Sequence, residues 1–342
     1  MTEKENQYYL NKRMNFSINQ FNRLLYHLIN VRNDVFPPMI KCKPCTILCF
    51  HGIDELGNTR INSRFISAAK FDKFISLLKG FGQFISISNV FSQNYSTSVP
   101  AFCLTFDDGY QCILTHLLPF LQKHSIPASV YISPTIAIGL DMLWPDLLDL
   151  GSYLNHNSFN IDNEVFYWSG KKGYKSQSSG LYLKQLLIGK NWNYIQKLYD
   201  LIPGRNKIRA REDLAIYWKL LNSDEIRTLS LSPLITIGSH GLTHINLATL
   251  PHENAMFELE KSKFFLENCI QKTVNELAYP FGYYTTYLLE DAFKLGFHKQ
   301  LVTDASPADL SPYPFCLPRF VTNPHISNLN VLYWMTKGRY SV

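Results

Sequence analysis

"AFCLTFDDGY", residues 101–110, fixes the reading of the chain. Ala101–Phe106 carries no charge and reads as a buried strand. It stops abruptly at two neighbouring carboxylates, Asp107 and Asp108, followed by Gly109 and Tyr110. Adjacent aspartates repel one another and raise one pKa of the pair. A strand end that carries both therefore asks for something that offsets their charge.

The same pattern, a short apolar run followed by an amphipathic stretch, recurs on both sides. "TILCFH" (46–51), "PASVYIS" (127–133), "LITIGS" (234–239), "ELAYP" (276–280), "KQLVTD" (299–304) and "CLPRF" (316–320) read as strands, and "QFISISNV" (83–90) as a strand or strand edge. Residues 68–81, 112–125, 222–229, 252–270 and 285–296 have helical spacing. Repeated β-then-α units predict a parallel sheet covered by helices, and seven or eight strands fit a closed or nearly closed barrel better than an open sheet. Between 140 and 222 the alternation breaks. This stretch, with a Gly/Ser/Lys-rich patch at 169–180, reads as a mostly helical insertion with one flexible tip. Residues 1–45 read as an N-terminal helical extension, with Phe16, Phe21, Leu24, Leu25, Leu28 and Ile29 near one face. Such a helix docks on its own domain or lies flat on a membrane.

The bulk properties narrow the function. The chain has 342 residues, is 46% hydrophobic and carries a formal charge of +6, with no block of clustered Lys/Arg. A nucleic-acid surface would show such a block. Seven cysteines at irregular spacing form no disulfide framework, and Cys42-x-x-Cys45 lacks the second pair of a structural zinc site. Cys49 and Cys103, inside apolar runs, read as small core residues. No apolar run reaches the length of a membrane span, and the N-terminus has no signal-like apolar region. The expected compartment is reducing, in the cytoplasm or at its membrane face.

The unusual polar residues sit at strand ends: His51 after the first, Asp107 and Asp108 after another, Ser239, His240 and His244 after a third, and "YPFGYY" (279–284) after a fourth. In parallel α/β folds these carboxyl ends converge on one rim, where active sites form. Two histidines at i and i+4 with one carboxylate suit zinc or another divalent transition metal and leave a coordination position open. A metal in such a site lowers the pKa of water and polarises a carbonyl, and a second carboxylate beside it is placed to act as general base. One aspartate then binds the metal while the other is the base. A turn at "DDG" and a polar loop at "HGLTH" are the plainer alternatives.

At these residues the sequence resembles the NodB-type polysaccharide deacetylases, carbohydrate esterase family four. Thr105-Phe106-Asp107-Asp108-Gly109 matches their first motif without change, and His240-Gly241-Leu242-Thr243-His244 matches the spacing of their second, with Gly241 in place of Ser/Thr. Ala278-Tyr279-Pro280-Phe281 stands where the third, R-x-P-Y/F, is expected. The resemblance implies a distorted (β/α) barrel over roughly 46–335, interrupted by the 140–222 insertion. It implies Asp107 as general base, Asp108, His240 and His244 as metal ligands, and the N–H of Phe281 as an oxyanion donor.

Three departures stand out. Ala278 replaces the family's motif-three arginine, for which Arg319 at a later strand end is the candidate replacement, with a merely structural arginine as the alternative. The late L-x-H histidine that protonates the leaving amine is missing; His51, His298 and His325 are the histidines to weigh, and His51 has the strongest claim to a site role. The insertion's Trp144, Trp168, Trp192 and Trp218 would form either a sugar-stacking wall or its own small core. The implied activity is metal-dependent removal of an N-acetyl or similar small acyl group from an amino sugar. The implied metal is Zn2+ first, with Co2+, Ni2+ or Mn2+ as alternatives. The implied partner is an N-acylated sugar, an oligosaccharide, or a lipid- or nucleotide-linked glycan precursor. A non-catalytic glycan-binding protein on the same fold, or a deformylase or amidase acting on a non-sugar amide, are the alternatives.

Overall fold

A computed structural model of the protein describes residues 45–170, 173–303, 305–306 and 308–337. The helical extension expected before residue 45 lies outside them. Seven strands form the centre: β1 Cys45–Phe50, β2 Ala101–Phe106, β3 Ala128–Ile132, β4 Ile235–Ser239, β5 Glu276–Ala278, β6 Lys299–Thr303 and β7 Cys316–Val321. Each pairs in parallel with the next in sequence, and β7 closes on β1 through Leu48 opposite Phe320. The result is a closed (β/α) barrel in chain order. A two-residue strand, Gln83–Phe84, lies against the start of β2.

Alternation along the strands builds two cores. Ile47, Ala101, Cys103, Tyr131, Ala278 and Leu301 pack together inside the barrel. Leu48, Phe102, Leu104, Phe106, Val130, Leu277 and Val302 belong to the larger core that includes the covering helices. Tyr131 fits because Gly238 faces it; a Cβ there would lie 2.4 Å from the tyrosine ring.

The covering helices are α1 Ala68–Lys79, α2 Leu118–His124, α4 Ser223–Ser230, α5 His252–Ile270, α6 Thr286–Lys294 and α7 Asn328–Lys337; α3, Trp144–Leu154, opens the insertion. Their boundaries follow local chemistry. Ser67 caps α1, and Asn222 with Glu225 forms a capping box on α4. The stretch 83–90, expected as a strand or strand edge, pairs over two residues only, because Ser86 caps a short helix, Ile87–Phe91.

The insertion, expected to be mostly helical, also holds strands. It contains a three-stranded antiparallel sheet, Phe159–Ile161, Glu164–Trp168 and Tyr174–Ser176, beside α3 and several short helices. Asp162 and Asn163 form a two-residue hairpin loop with Asp162 at φ 54°, a conformation that aspartate tolerates. The end of the insertion returns to the Asp107–Asp108 turn: Gln111 N–H donates to the Lys219 carbonyl at 2.8 Å and Leu221 N–H to the Gly109 carbonyl at 2.9 Å. Among the described residues no helix is long and apolar enough to cross a membrane.

Candidate active site

The ladder of β2 continues one residue past the strand, where Asp107 N–H donates to the Phe50 carbonyl at 3.0 Å. Asp108 and Gly109 then take φ values of 77° and 82°. This left-handed step turns the second carboxylate away from the first. At Gly109 a Cβ would lie 2.8 Å from Ile132, so a side chain is excluded there.

Asp107 faces Arg319 at the end of β7. The guanidinium grips both carboxylate oxygens, NH1 to Oδ1 at 2.6 Å and NH2 to Oδ2 at 2.7 Å. The arginine also donates to Thr105 Oγ1 at 3.2 Å and sits 5.5 Å over the Tyr131 ring. The Cys49 thiol donates to Asp107 Oδ2 at 3.4 Å. Burial alone would raise the pKa of Asp107, but Arg319, with His240, pulls it down to about 2. Burial pushes the Cys49 thiol well up, so it stays protonated. His51 is partly buried beside the pair, and burial lowers its pKa against the pull of Asp108 and Asp107.

Asp108, fully buried, faces the two histidines of the loop after β4. His244 Nε2 lies 3.1 Å and His240 Nε2 3.7 Å from Asp108 Oδ1. His240 Nδ1 is 2.7 Å from the Ala278 carbonyl. A carbonyl only accepts, so Nδ1 carries the proton and Nε2 presents its lone pair to Asp108 and Asp107. Burial lowers the His240 pKa to about 4, so the ring is neutral at physiological pH, the form that binds metals. The loop is braced by the carboxylate of Glu258 in α5, which accepts from Leu242 N–H at 2.9 Å, Thr243 N–H at 2.8 Å and Thr243 Oγ1 at 2.7 Å. Gly241, in place of a hydroxyl residue, adopts φ 71°.

These residues fit a divalent cation. Both Asp108 oxygens and His244 Nδ1 are buried without a hydrogen-bond partner among the described residues. Such a carboxylate is costly unless positive charge completes it, and the Arg64 guanidinium, 3.7 Å from Oδ2, makes no hydrogen bond to it. Asp108, His240 and His244 each offer one ligand atom, all within 4.8 Å of one another. Cys49, His51 and Asp107 form a second group equally close. That group suits a metal poorly, because Arg319 already holds both oxygens of Asp107 and the thiol stays protonated.

The loop after β5 brings Phe281, at φ 60°, so that its ring lies 4.9 Å from that of His244 and 5.9 Å from that of Trp144. Above the rim opens a cavity of about 1090 Å³, lined by His51, Asp107, His240, His244, Phe281 and Arg319 from the barrel. The opposite wall comes from the insertion, including Tyr174, Tyr182, Lys184 and Gln185. All seven site residues expected from sequence therefore meet in one place. His325 also lines the cavity, whereas His298 packs on Phe293 and is not among the lining residues.

None of the insertion's four tryptophans lines the cavity. Trp144 and Trp218 are buried, Trp192 is packed against the core, and Trp168 stacks on His156 at 3.8 Å. Sequence reasoning missed Cys49 in the site, the Trp144 brace and Arg64. Arg64 lies 3.7 Å from Asp108 Oδ2 and pairs closely with Asp146. Burial pushes the Asp146 carboxyl up to about 7 against the pull of Arg64. Arg64 sits on an irregular loop with no local pattern, so only the folded chain reveals its place.

A family model described as polysaccharide deacetylase matches residues 94–144 and 190–299. The matched segments include Asp107, Asp108, His240 and His244 and are similar to that family. The stretch between them, 145–189, falls within the insertion. Two solved structures resemble the chain in fold. The Streptococcus pyogenes deacetylase PplD in complex with acetate is 17% identical, with a TM-score of 0.51 over 85% of this chain and 97% of that one. IcaB from Ammonifex degensii is 15% identical, with a TM-score of 0.51 and the same two coverages. Comparison with curated protein sequences returns no match.

Proposed function

We propose that this protein is a metal-dependent carbohydrate N-deacetylase, releasing an acetyl or similar small acyl group from an amino sugar. The observation that carries the reading is the division of labour at the paired aspartates: Asp107 is clamped by Arg319, whereas Asp108 is buried without a hydrogen-bond partner among the described residues and faces two imidazole nitrogens. Asp108, His240 and His244 are the proposed ligands of a divalent cation, Zn2+ first. When bound, such a cation lowers the pKa of water and polarises the amide carbonyl.

The chain's own residues supply the rest. Asp107, kept ionised by Arg319, accepts the proton of the attacking water. The carbonyl carbon gains the water oxygen, the C–N bond breaks, and the amine leaves with a proton as acetate is released. The N–H of Phe281 is the proposed donor to the carbonyl oxygen as it becomes negative. His51, beside Asp107 on the cavity wall, is proposed to contact the substrate. The cavity, walled on one side by the insertion, favours a sugar unit of a glycan or of a lipid- or nucleotide-linked precursor. A cytoplasmic or membrane-face setting is part of the same proposal.

The test is acetate release from N-acetylglucosamine oligomers and from nucleotide- and lipid-linked N-acetylhexosamines. The wild type should release acetate from one of these, and Asp107→Asn should lose at least ~100-fold in kcat. Full activity in Asp107→Asn would remove the assigned base.

A further inference from the structure

The insertion is anchored to the metal-ligand loops by the first turn of α3. Trp144 Nε1 donates to the His244 carbonyl at 2.9 Å, where the backbone holds φ 55°. Two residues on, fully buried Asp146 pairs with Arg64, whose other nitrogen lies 3.7 Å from Asp108 Oδ2. Asp146 is itself held by Tyr110 Oη at 2.9 Å and Asn62 Nδ2 at 2.8 Å. Asn62 Nδ2 also donates to the Tyr217 carbonyl at 3.0 Å, near the far end of the insertion. One short turn thus touches the supports of two of the three candidate ligands.

We infer that Trp144 and Asp146 are positioning residues: Trp144 fixes the backbone that presents His244, and Asp146 holds Arg64 back from Asp108. The inference rests on the metal-site reading above. The indole N–H satisfies a buried carbonyl at a left-handed residue, so its loss lets that peptide rotate and carry the imidazole with it. Arg64 is a fixed positive charge that competes with a cation for Asp108 unless Asp146 occupies it. The insertion is then more than a wall: its seating sets how well the ligand loops are held.

The experiment measures zinc affinity by competition with a chromophoric chelator, in wild type, Trp144→Phe, Asp146→Asn, Asp146→Asn/Arg64→Met and Trp218→Phe. Trp218→Phe makes the same chemical change at an indole whose N–H has no hydrogen-bond partner among the described residues. Trp144→Phe and Asp146→Asn should each bind zinc roughly 10–100-fold more weakly. Removing Arg64 in the double variant should recover much of the Asp146→Asn loss, and Trp218→Phe should match wild type. Thermal unfolding of each apo protein identifies any loss of fold. Unchanged zinc affinity in folded Trp144→Phe and Asp146→Asn would overturn the inference while leaving the metal site intact. So would an equal loss in Trp218→Phe, or no recovery in the double variant. No zinc binding by wild type would instead overturn the metal reading and the inference with it.

Discussion

Replacing Arg319 by methionine removes the counter-ion of a buried carboxylate and little else. Arg319 is 5% exposed, and its guanidinium makes two short bonds to Asp107, a third to Thr105 and a face contact with Tyr131. Methionine fills similar volume but leaves Asp107 charged, 3% exposed and held only by the Cys49 thiol and the nearby His240. Breaking a buried pair from one side costs about 3–5 kcal/mol. Asp107→Asn strands the arginine instead and should cost a similar amount. The double variant strands neither charge, so its loss should fall short of the sum by about 2–3 kcal/mol. The assay is equilibrium urea unfolding of the four proteins in chelator at neutral pH, with circular dichroism and tryptophan fluorescence as coincident probes. A loss below about 1 kcal/mol for Arg319→Met, with additivity in the double variant, would refute the claim that Arg319 takes the place of the missing arginine beside Asp107.

Two further outcomes follow from the loops around the site. Gly282 has φ 75°, and a Cβ there would lie 1.7 Å from Thr303 Oγ1, so Gly282→Ala should cost about 2 kcal/mol or more in urea unfolding and lower kcat through displacement of Phe281. Glu258→Ala strips three buried donors of the histidine loop and should cost about 3 kcal/mol, whereas Glu258→Gln, whose amide oxygen still accepts, should cost about 1 kcal/mol; equal losses would show that the carboxylate does not brace the loop.

Much of this arrangement was legible in the residues. The barrel strands are short apolar runs between helical stretches, and all seven lie where those runs fall. The grouping of the paired aspartates with His240 and His244 was legible because Asp107–Asp108 and His240–His244 are local spacings at strand ends, and a closed parallel barrel gathers such ends. Arg319 was half legible: its strand end placed it on the rim, but its partner depended on the curvature of the barrel. Contacts made across the insertion were not legible. Trp144 reads as one more apolar residue of a helix, and nothing near Arg64 hints at Asp146, 82 positions away. The sheet at 159–176 was hidden because its strands are only three to five residues long and its loops share the polar composition of the segment.

The most direct test of the central claim is an anomalous difference map from a crystal grown with zinc, collected on both sides of the zinc absorption edge. One peak is expected among Asp108, His240 and His244, about 2.0–2.2 Å from the imidazole nitrogens and a carboxylate oxygen, with Asp107 still paired to Arg319. A peak among Cys49, His51 and Asp107, or no peak at the strand ends, would contradict that claim.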